Sequence, residues 1–386
     1  MAATERQRWT DARRRALRVL LARWRAPRAA LRVAGLLGSV LASAGAGAVS
    51  LPEDRAEALY HAYDGGGVRA TGPALLVRKS LLDKVSLSAS YYVDAVSNAS
   101  IDVVTTASPY KETRTAYDLG LDYVYRDAHI SVSGSSSSEP DYTADSVGLD
   151  VAQEVFGGQT TVGLGFTRAN DKVGKKDIGF FDSARHWQYR FGITQILSPR
   201  WLMSANVEAI ADDGYLGSPY RSARVFGAAV PERNPRTRSS RALKLRSVHA
   251  LGERASVRGE YRYFTDTWGI LAHTAELGYS RYVGKAWLLD GSLRYYTQDK
   301  ALFYSDNAAA ETLYVSRNRQ LGTYTTLGVG AKATYTVPGI PLKYGVKLSG
   351  VYELKRFKFS DFTDLRSGQP YSVDAHLLQV YLSANY

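Results

Sequence analysis

Residues 117–125 read YDLGLDYVY. Tyr117, Leu119, Leu121, Tyr123 and Tyr125 fall on one face of an extended chain, with Asp118, Gly120 and Asp122 on the other. Stretches of the same texture recur after residue 65. In 85–93 (VSLSASYYV) the odd positions are apolar and most even ones are serine. Trp187, Tyr189, Phe191 and Ile193 oppose Gln188, Arg190 and Thr194, and Leu289, Leu293 and Tyr295 oppose Asp290, Ser292 and Arg294. Clusters of Gly, Pro, Asp and Asn separate these runs, the pattern of strands joined by turns.

A period of two alone does not distinguish a soluble sandwich from a membrane barrel. Three features do. The alternating runs reach about ten residues or more, where ordinary strands average five or six. Their apolar faces end in Tyr, Trp or Phe, as aromatic girdles at two bilayer interfaces would. Connections also alternate in length. Short ones fall near 81–84, 126–128, 156–159, 197–200, 251–254, 283–286 and 338–341, and longer ones near 96–112, 170–182, 212–237, 300–318 and 360–370. Two of the second set are tight, near 138–141 and 265–269. The expected fold is an all-β, transmembrane, antiparallel up-and-down barrel. Fifteen strands follow residue 67, and an N-terminal strand over 55–64, turning at Asp64-Gly65-Gly66-Gly67, makes sixteen; omitting 68–79 gives fourteen as the alternative.

Composition bounds the chemistry. The chain has 386 residues, 27 tyrosines and no cysteine, which excludes disulfides, thiolate nucleophiles and thiolate metal sites. The net charge of +12 is unevenly placed: residues 1–48 hold ten arginines against Glu5 and Asp11, leaving +4 for 49–386. The basic pI therefore does not point to nucleic acid. Residues 1–48 read as a signal peptide, with a long basic region, the apolar stretch VAGLLGSVLASAGAGA and a small-residue cleavage site at Ala46-Gly47-Ala48. The expected mature chain is the barrel over 49–386.

The final strand ends on Tyr386, where an aromatic residue would signal to the outer-membrane assembly machinery. The stretches LPEDRAEALYHAYDGGG, GPALLVRK, SASYYVDAVSNASIDVVTTASPYKETRT and SDFTDLRSGQPYSVDAHLLQVYLSANY span 51–386. They resemble an uncharacterised Gram-negative exported family, domain of unknown function 3570, taken to be outer-membrane barrels. The resemblance implies no catalytic residues. It suggests a neighbourhood of envelope redox proteins, and so a periplasmic redox or lipoprotein partner.

With the apolar face toward lipid, the other face defines the lumen. Early strands point Asp94, Asp118, Asp122 and Asp150 inward, among Ser86, Ser88, Ser131 and Ser133. Later strands point in Lys244, Arg246, Arg258, Arg262, Arg294, Lys332, Lys343, Lys347 and Lys355, interrupted by Glu260, Glu276, Asp290 and Glu353. Arg190 and Glu208 are expected to pair. Two readings follow: a water-filled channel favouring anions, or a lumen walled shut by its own ion pairs. Loop 97–114 is long enough to fold inward.

Catalytic readings are weaker. His129 and Ser131 share a face, as a nucleophile and base would, but Ile130 and Val132 take the lipid face, so the pair points inward. Protease-type barrels need acids and a histidine at the outer rim; Asp212, Asp213, Asp361 and Asp364 are placed in outer loops with His376 nearby. We expect no enzyme and no cofactor. No histidines are spaced as paired metal ligands, and Asp94 and Asp102 with the 97–100 carbonyls are a weak calcium candidate. The arginine-rich stretch 221–241 faces outward and suits lipopolysaccharide phosphates, its membrane-proximal end at 236–241 meeting the headgroups.

Overall fold

A computed structural model describes residues 49–98, 110–339 and 345–386. The described residues form eighteen strands, the first nine being β1 (Arg55–Gly65), β2 (Val68–Leu82), β3 (Val85–Asn98), β4 (Tyr110–Tyr125), β5 (Ala128–Glu139), β6 (Tyr142–Val155), β7 (Thr160–Lys175), β8 (Phe180–Ser198) and β9 (Trp201–Gly214). A small hairpin follows, β10 (Ser222–Val225) and β11 (Ala228–Pro231). The others are β12 (Thr237–Ala250), β13 (Ala255–Asp266), β14 (Leu271–Val283), β15 (Trp287–Gln298), β16 (Tyr324–Thr336), β17 (Val346–Asp364) and β18 (Gln369–Asn385).

Every strand except β10 and β11 joins one closed antiparallel sheet of sixteen. Closure is made by β1 against β18, in register from Arg55↔Asn385 to Gly65↔Ala375. The N-terminal strand that the even count required is therefore real. Its turn holds Gly66 and Gly67 at φ 62° and 79°, the left-handed backbone that a two-residue hairpin turn demands. A closed sheet leaves no edge, so every strand finds hydrogen-bond partners without water, as lipid requires.

The burial pattern is inverted relative to a soluble protein. Leu119, Val147, Leu164 and Leu277 are exposed on the outer wall, while Ser86, Asp94, Asp122 and Ser256 on the inner wall are buried. On β15 the outward aromatics Trp287 and Tyr295 stand eight positions apart. That separation is about 26 Å along a strand, or roughly 20 Å after a tilt of ~40°, near the height of a bilayer's hydrocarbon band. Trp287 meets Tyr335 at the end carrying the termini, and Tyr91 meets Tyr117 toward the opposite, loop end.

Two long expected connections are shorter than the sequence suggests. β7 runs to Lys175 and β8 starts at Phe180, leaving 176–179 in place of 170–182. β17 runs to Asp364, so 365–368 replaces 360–370. Asp212 and Asp213 likewise lie in β9 and Asp361 and Asp364 in β17. The leader 1–48, most of loop 97–114 with Asp102, and Lys343 lie outside the described residues.

Candidate functional site: the lumen and its capped mouth

Register fixes which side chains share the inner wall. Leu121↔Val132↔Leu149↔Phe166 marks an outward row, so Asp122, Ser131 and Asp150 one position away turn inward. The same parity turns Asp94 and Asp118 inward. It likewise carries Lys244, Arg246, Arg258, Arg262, Arg294, Lys332, Lys347 and Lys355 to the lumen, around the arc β12–β17. In the sixteen-strand ring β4 and β14 are eight places apart, so the acidic arc of β3–β6 faces the basic arc across the lumen.

The charges are partly tied together. Arg258 donates to Glu276 at 2.6 Å, Lys244 lies 2.8 Å from Glu260, and Lys355 3.0 Å from Glu353. Arg190 does not take Glu208, although the two are direct cross-strand neighbours. It reaches over β7 to Asp150 at 2.8 Å, leaving Glu208 to Arg262 at 3.1 Å and to Gln188. The reason is Gly165, which lies between Asp150 and Arg190 in register: a Cβ there would stand 2.2 Å from Asp150 Oδ1, so the missing side chain opens the path. On the acidic arc Asp94 is 2.6 Å from His61, whose ring stacks on Tyr92. His129 Nε2 lies 3.0 Å from Asp122, so this histidine is held by a carboxylate in the inner wall.

At the loop end, 215–236 and 299–323 fold together into one cap. Ala308 N donates to Arg224 O at 2.9 Å, and Arg233 and Val315 exchange two backbone bonds at 2.9 Å. Ala223, Val225, Ala308 and Val315 make a small apolar core between the two loops. A second core seats the cap on the inner wall, joining Trp268, Ile270, Ala301, Tyr304 and Leu321. Arg317, 3% exposed, fixes the far side: it reaches Asp306 Oδ1 and Thr363 O, each at 2.8 Å, and lies 4.2 Å over the Phe362 ring. On the near side Tyr220 donates to Asp141 in the β5–β6 turn. Burial and the Asp141 carboxylate both push the Tyr220 phenol above its ordinary pKa, keeping it a donor. Burial likewise raises that of Tyr215, with Glu232 and Asp182 adding to the effect.

Between cap and inner wall lies a cavity of about 570 Å³. One side carries His186, with Nδ1 2.8 Å from Asp212 and Nε2 3.1 Å from Asp171, which also accepts from Tyr142. The other carries Phe264, Trp268 and Tyr296, with Arg238 stacked 4.7 Å over Trp268 and bound to the buried carboxylate of Asp266. Sequence reading placed Asp212 in a loop beside His376. The histidine that meets it is His186, while His376 faces outward against Tyr352. The signal was present, since His186 shares its parity with the inward Arg190. The arginines of 221–241 are largely engaged within the protein: Arg233 lies 3.4 Å from Glu311, Arg236 2.7 Å from Asp182, and Arg238 turns inward to Asp266.

A family model described as "Protein of unknown function (DUF3570)" matches residues 92–180 and 177–349. No curated protein matches the chain. Among solved structures, a bacterial polysaccharide outer-membrane secretin is 8% identical, at TM-score 0.50 over 87% of this chain and 100% of that one. The siderophore receptor PirA of Pseudomonas aeruginosa is 8% identical (TM-score 0.43, covering 86% and 81%), and the CymD monoaromatic hydrocarbon channel 10% (TM-score 0.43, covering 87% and 89%). The secretin's likeness bears on fold alone, that of an outer-membrane barrel.

Proposed function

The chain belongs to this family of proteins of unknown function, and, with no activity to inherit from it, we propose a porin-like channel for small polar or anionic solutes. One observation carries the reading. Inner-wall groups well down the barrel remain open to water: the side chains of Lys244, Arg294 and Asp150 are 40%, 47% and 49% exposed although they point inward. A sixteen-strand wall is wide enough for an aqueous channel, and these side chains do not fill it. Apart from the Arg238–Asp266 pair at the loop end, eight inward cations on β12–β17 meet four carboxylates on the same strands, Glu260, Glu276, Asp290 and Glu353. On the opposite arc Asp150 has Arg190 and Asp122 has Arg78 at 3.9 Å, while Asp94 lies against His61 and Asp118 accepts from Ser90. Glu208 on β9 takes Arg262, so the basic arc keeps an excess of three positive charges, eight cations against five carboxylates, and that side of the lumen favours anions.

The proposed setting is the outer membrane, reached through the leader 1–48, with Tyr386 read by the assembly machinery. Arg241, facing outward near the loop end, would meet lipopolysaccharide. We read the protein as no enzyme and without a cofactor. The cap favours a second reading, a non-conducting barrel that docks a periplasmic redox or lipoprotein component. Single-channel current of the refolded protein across a planar bilayer under a salt gradient decides between them. Steady openings with a reversal potential favouring chloride support the channel. A folded, heat-modifiable barrel that passes no current refutes it.

A further inference from the structure

We propose that the cavity under the cap is a binding site for a small aromatic monocarboxylate, which makes the barrel a selective channel for that solute class; this rests on the channel reading. The cavity's volume, about 570 Å³, lies within the range of small-molecule sites. Its lining divides by chemistry. Phe264, Trp268 and Tyr296 give an aromatic surface on strands and a turn that the cap core holds in place.

Arg221 supplies the charge. It lines the cavity at the foot of the β10–β11 hairpin, its backbone held by its N–H to Ser218 O at 3.2 Å. Nη1 of its guanidinium is buried without a hydrogen-bond partner among the described residues. The other cavity arginines are engaged, Arg238 by Asp266 and Arg262 by Glu208. A buried, unmet donor on a charged group is costly, and a ligand oxygen removes that cost. The planar fork matches a carboxylate in particular. Asn234 adds an acceptor: its Nδ2 donates to Leu216 O at 3.1 Å, and its buried Oδ1 has no partner among the described residues. A hydroxyl or amine on the ligand ring would satisfy it.

The opposite side sets the charge limit. Asp171 and Asp212, with His186 between them, put carboxylates on that side, and Glu232, which stands across the hairpin foot from Arg221 and accepts from Ser316 and Arg317, adds one beside the arginine. A second negative charge on the ligand would face them. An aliphatic acid would leave the aromatic surface uncovered, and a neutral aromatic would leave Arg221 unmet.

The test uses the full mature barrel refolded in detergent micelles and isothermal titration calorimetry, with benzoate as the probe. Benzoate should bind, with acetate and benzyl alcohol each weaker. Arg221→Gln should weaken benzoate by at least about tenfold, the usual loss for one charge-assisted hydrogen bond, and Asn234→Asp should weaken it by repulsion. Because the Arg221 side chain donates no hydrogen bond to the described residues, its substitution should leave heat-modifiability unchanged. No benzoate binding, or equal binding by Arg221→Gln, overturns the inference. Planar-bilayer current is measured on the same preparation. Current without benzoate binding leaves the channel standing and removes the site; binding without current supports the site and removes the channel.

Discussion

Arg317→Met should loosen the cap without unfolding the barrel. The guanidinium holds 299–323 to β17 through Thr363 O at 2.8 Å and by covering the Phe362 ring, and within the loop it braces Asp306 at 2.8 Å, whose Oδ2 accepts from the Thr363 amide. Methionine keeps much of the stem's contact with Phe362 and removes the charge. Asp306 is then left with the Thr363 amide at 3.2 Å. Each hydrogen bond to a charged group contributes about 1.5–3 kcal/mol. The Asp306 side chain is 24% exposed, so water replaces part of what is lost. The net cost to cap closure is about 2–3 kcal/mol, which corresponds to a roughly 30- to 150-fold rise in the open population. Native-state hydrogen exchange reads this directly, because Ala308 N and Val315 N bond across the two loops. Their amides should exchange faster by that factor while those of β13 and β14 keep their protection, as expected for sub-global opening. Unchanged exchange at both amides would mean that Arg317 does not hold the cap. Equal acceleration throughout β13 and β14 would mean that cap and barrel open as one unit, which the reasoning also forbids.

Reversing Arg258, Arg262 and Arg294 to Glu should turn the channel toward cations, read as a change in sign of the reversal potential; an unchanged sign would place selectivity elsewhere. Leu293→Arg on the outer wall should cost about 2–4 kcal/mol near the bilayer midplane, whereas Ser133→Arg, facing the lumen, should cost well under half of that. Urea unfolding in bilayers compares the two, and equal costs would contradict the assigned faces. Gly165→Val should destabilise by about 1–3 kcal/mol, as overpacking does, because its Cβ meets Asp150 and Arg190. With the pair's side chains 35% and 49% exposed, its own contribution is below about 1 kcal/mol. Asp150→Ala in the valine background should therefore restore most of the stability, and failure to do so would put the strain in the backbone.

Where sequence reading succeeded and where it failed follow from the height of each residue in the barrel. Inside the bilayer one face must be apolar, so Leu119, Leu293 and Val329 alternate visibly and give faces, strand count and lumen charges. Above the bilayer that demand ends. Arg168, Asn170 and Lys172 take the outward positions of β7, and Arg356 and Lys358 those of β17; the alternation vanishes, and polar strand reads as loop. The same loss hid the pairing of His186 with Asp212, because both stand on wall that sequence assigned to connections or their margins. The cap was beyond reach for another reason. Its contacts join residues about eighty positions apart, such as Val225 with Ala308, and no local pattern marks such a pairing.

These failures share a consequence. Strands that continue past the lipid band build a polar collar, and a collar can carry inward groups that neither lipid packing nor barrel closure demands. His186, Asp171, Asp212 and Arg238 stand on that collar, at or near the loop ends of β7, β8, β9 and β12. Barrel closure needs hydrogen bonds between strands and apolar residues toward lipid, and it is indifferent to a histidine between two aspartates or an arginine over a tryptophan. An open, unselective pore would need neither the extended strands nor two loops folded across them. The longest strands, β8 and β17 at 19 residues each, are those that anchor the cap: Tyr215 N donates to Ser183 O on β8, and Arg317 Nη2 to Thr363 O on β17. Selectivity, if this barrel conducts, is therefore set in the collar and its cap. Cap variants should change which solutes pass, and lumen variants such as those of Arg258 and Arg294 should change the preferred sign of charge.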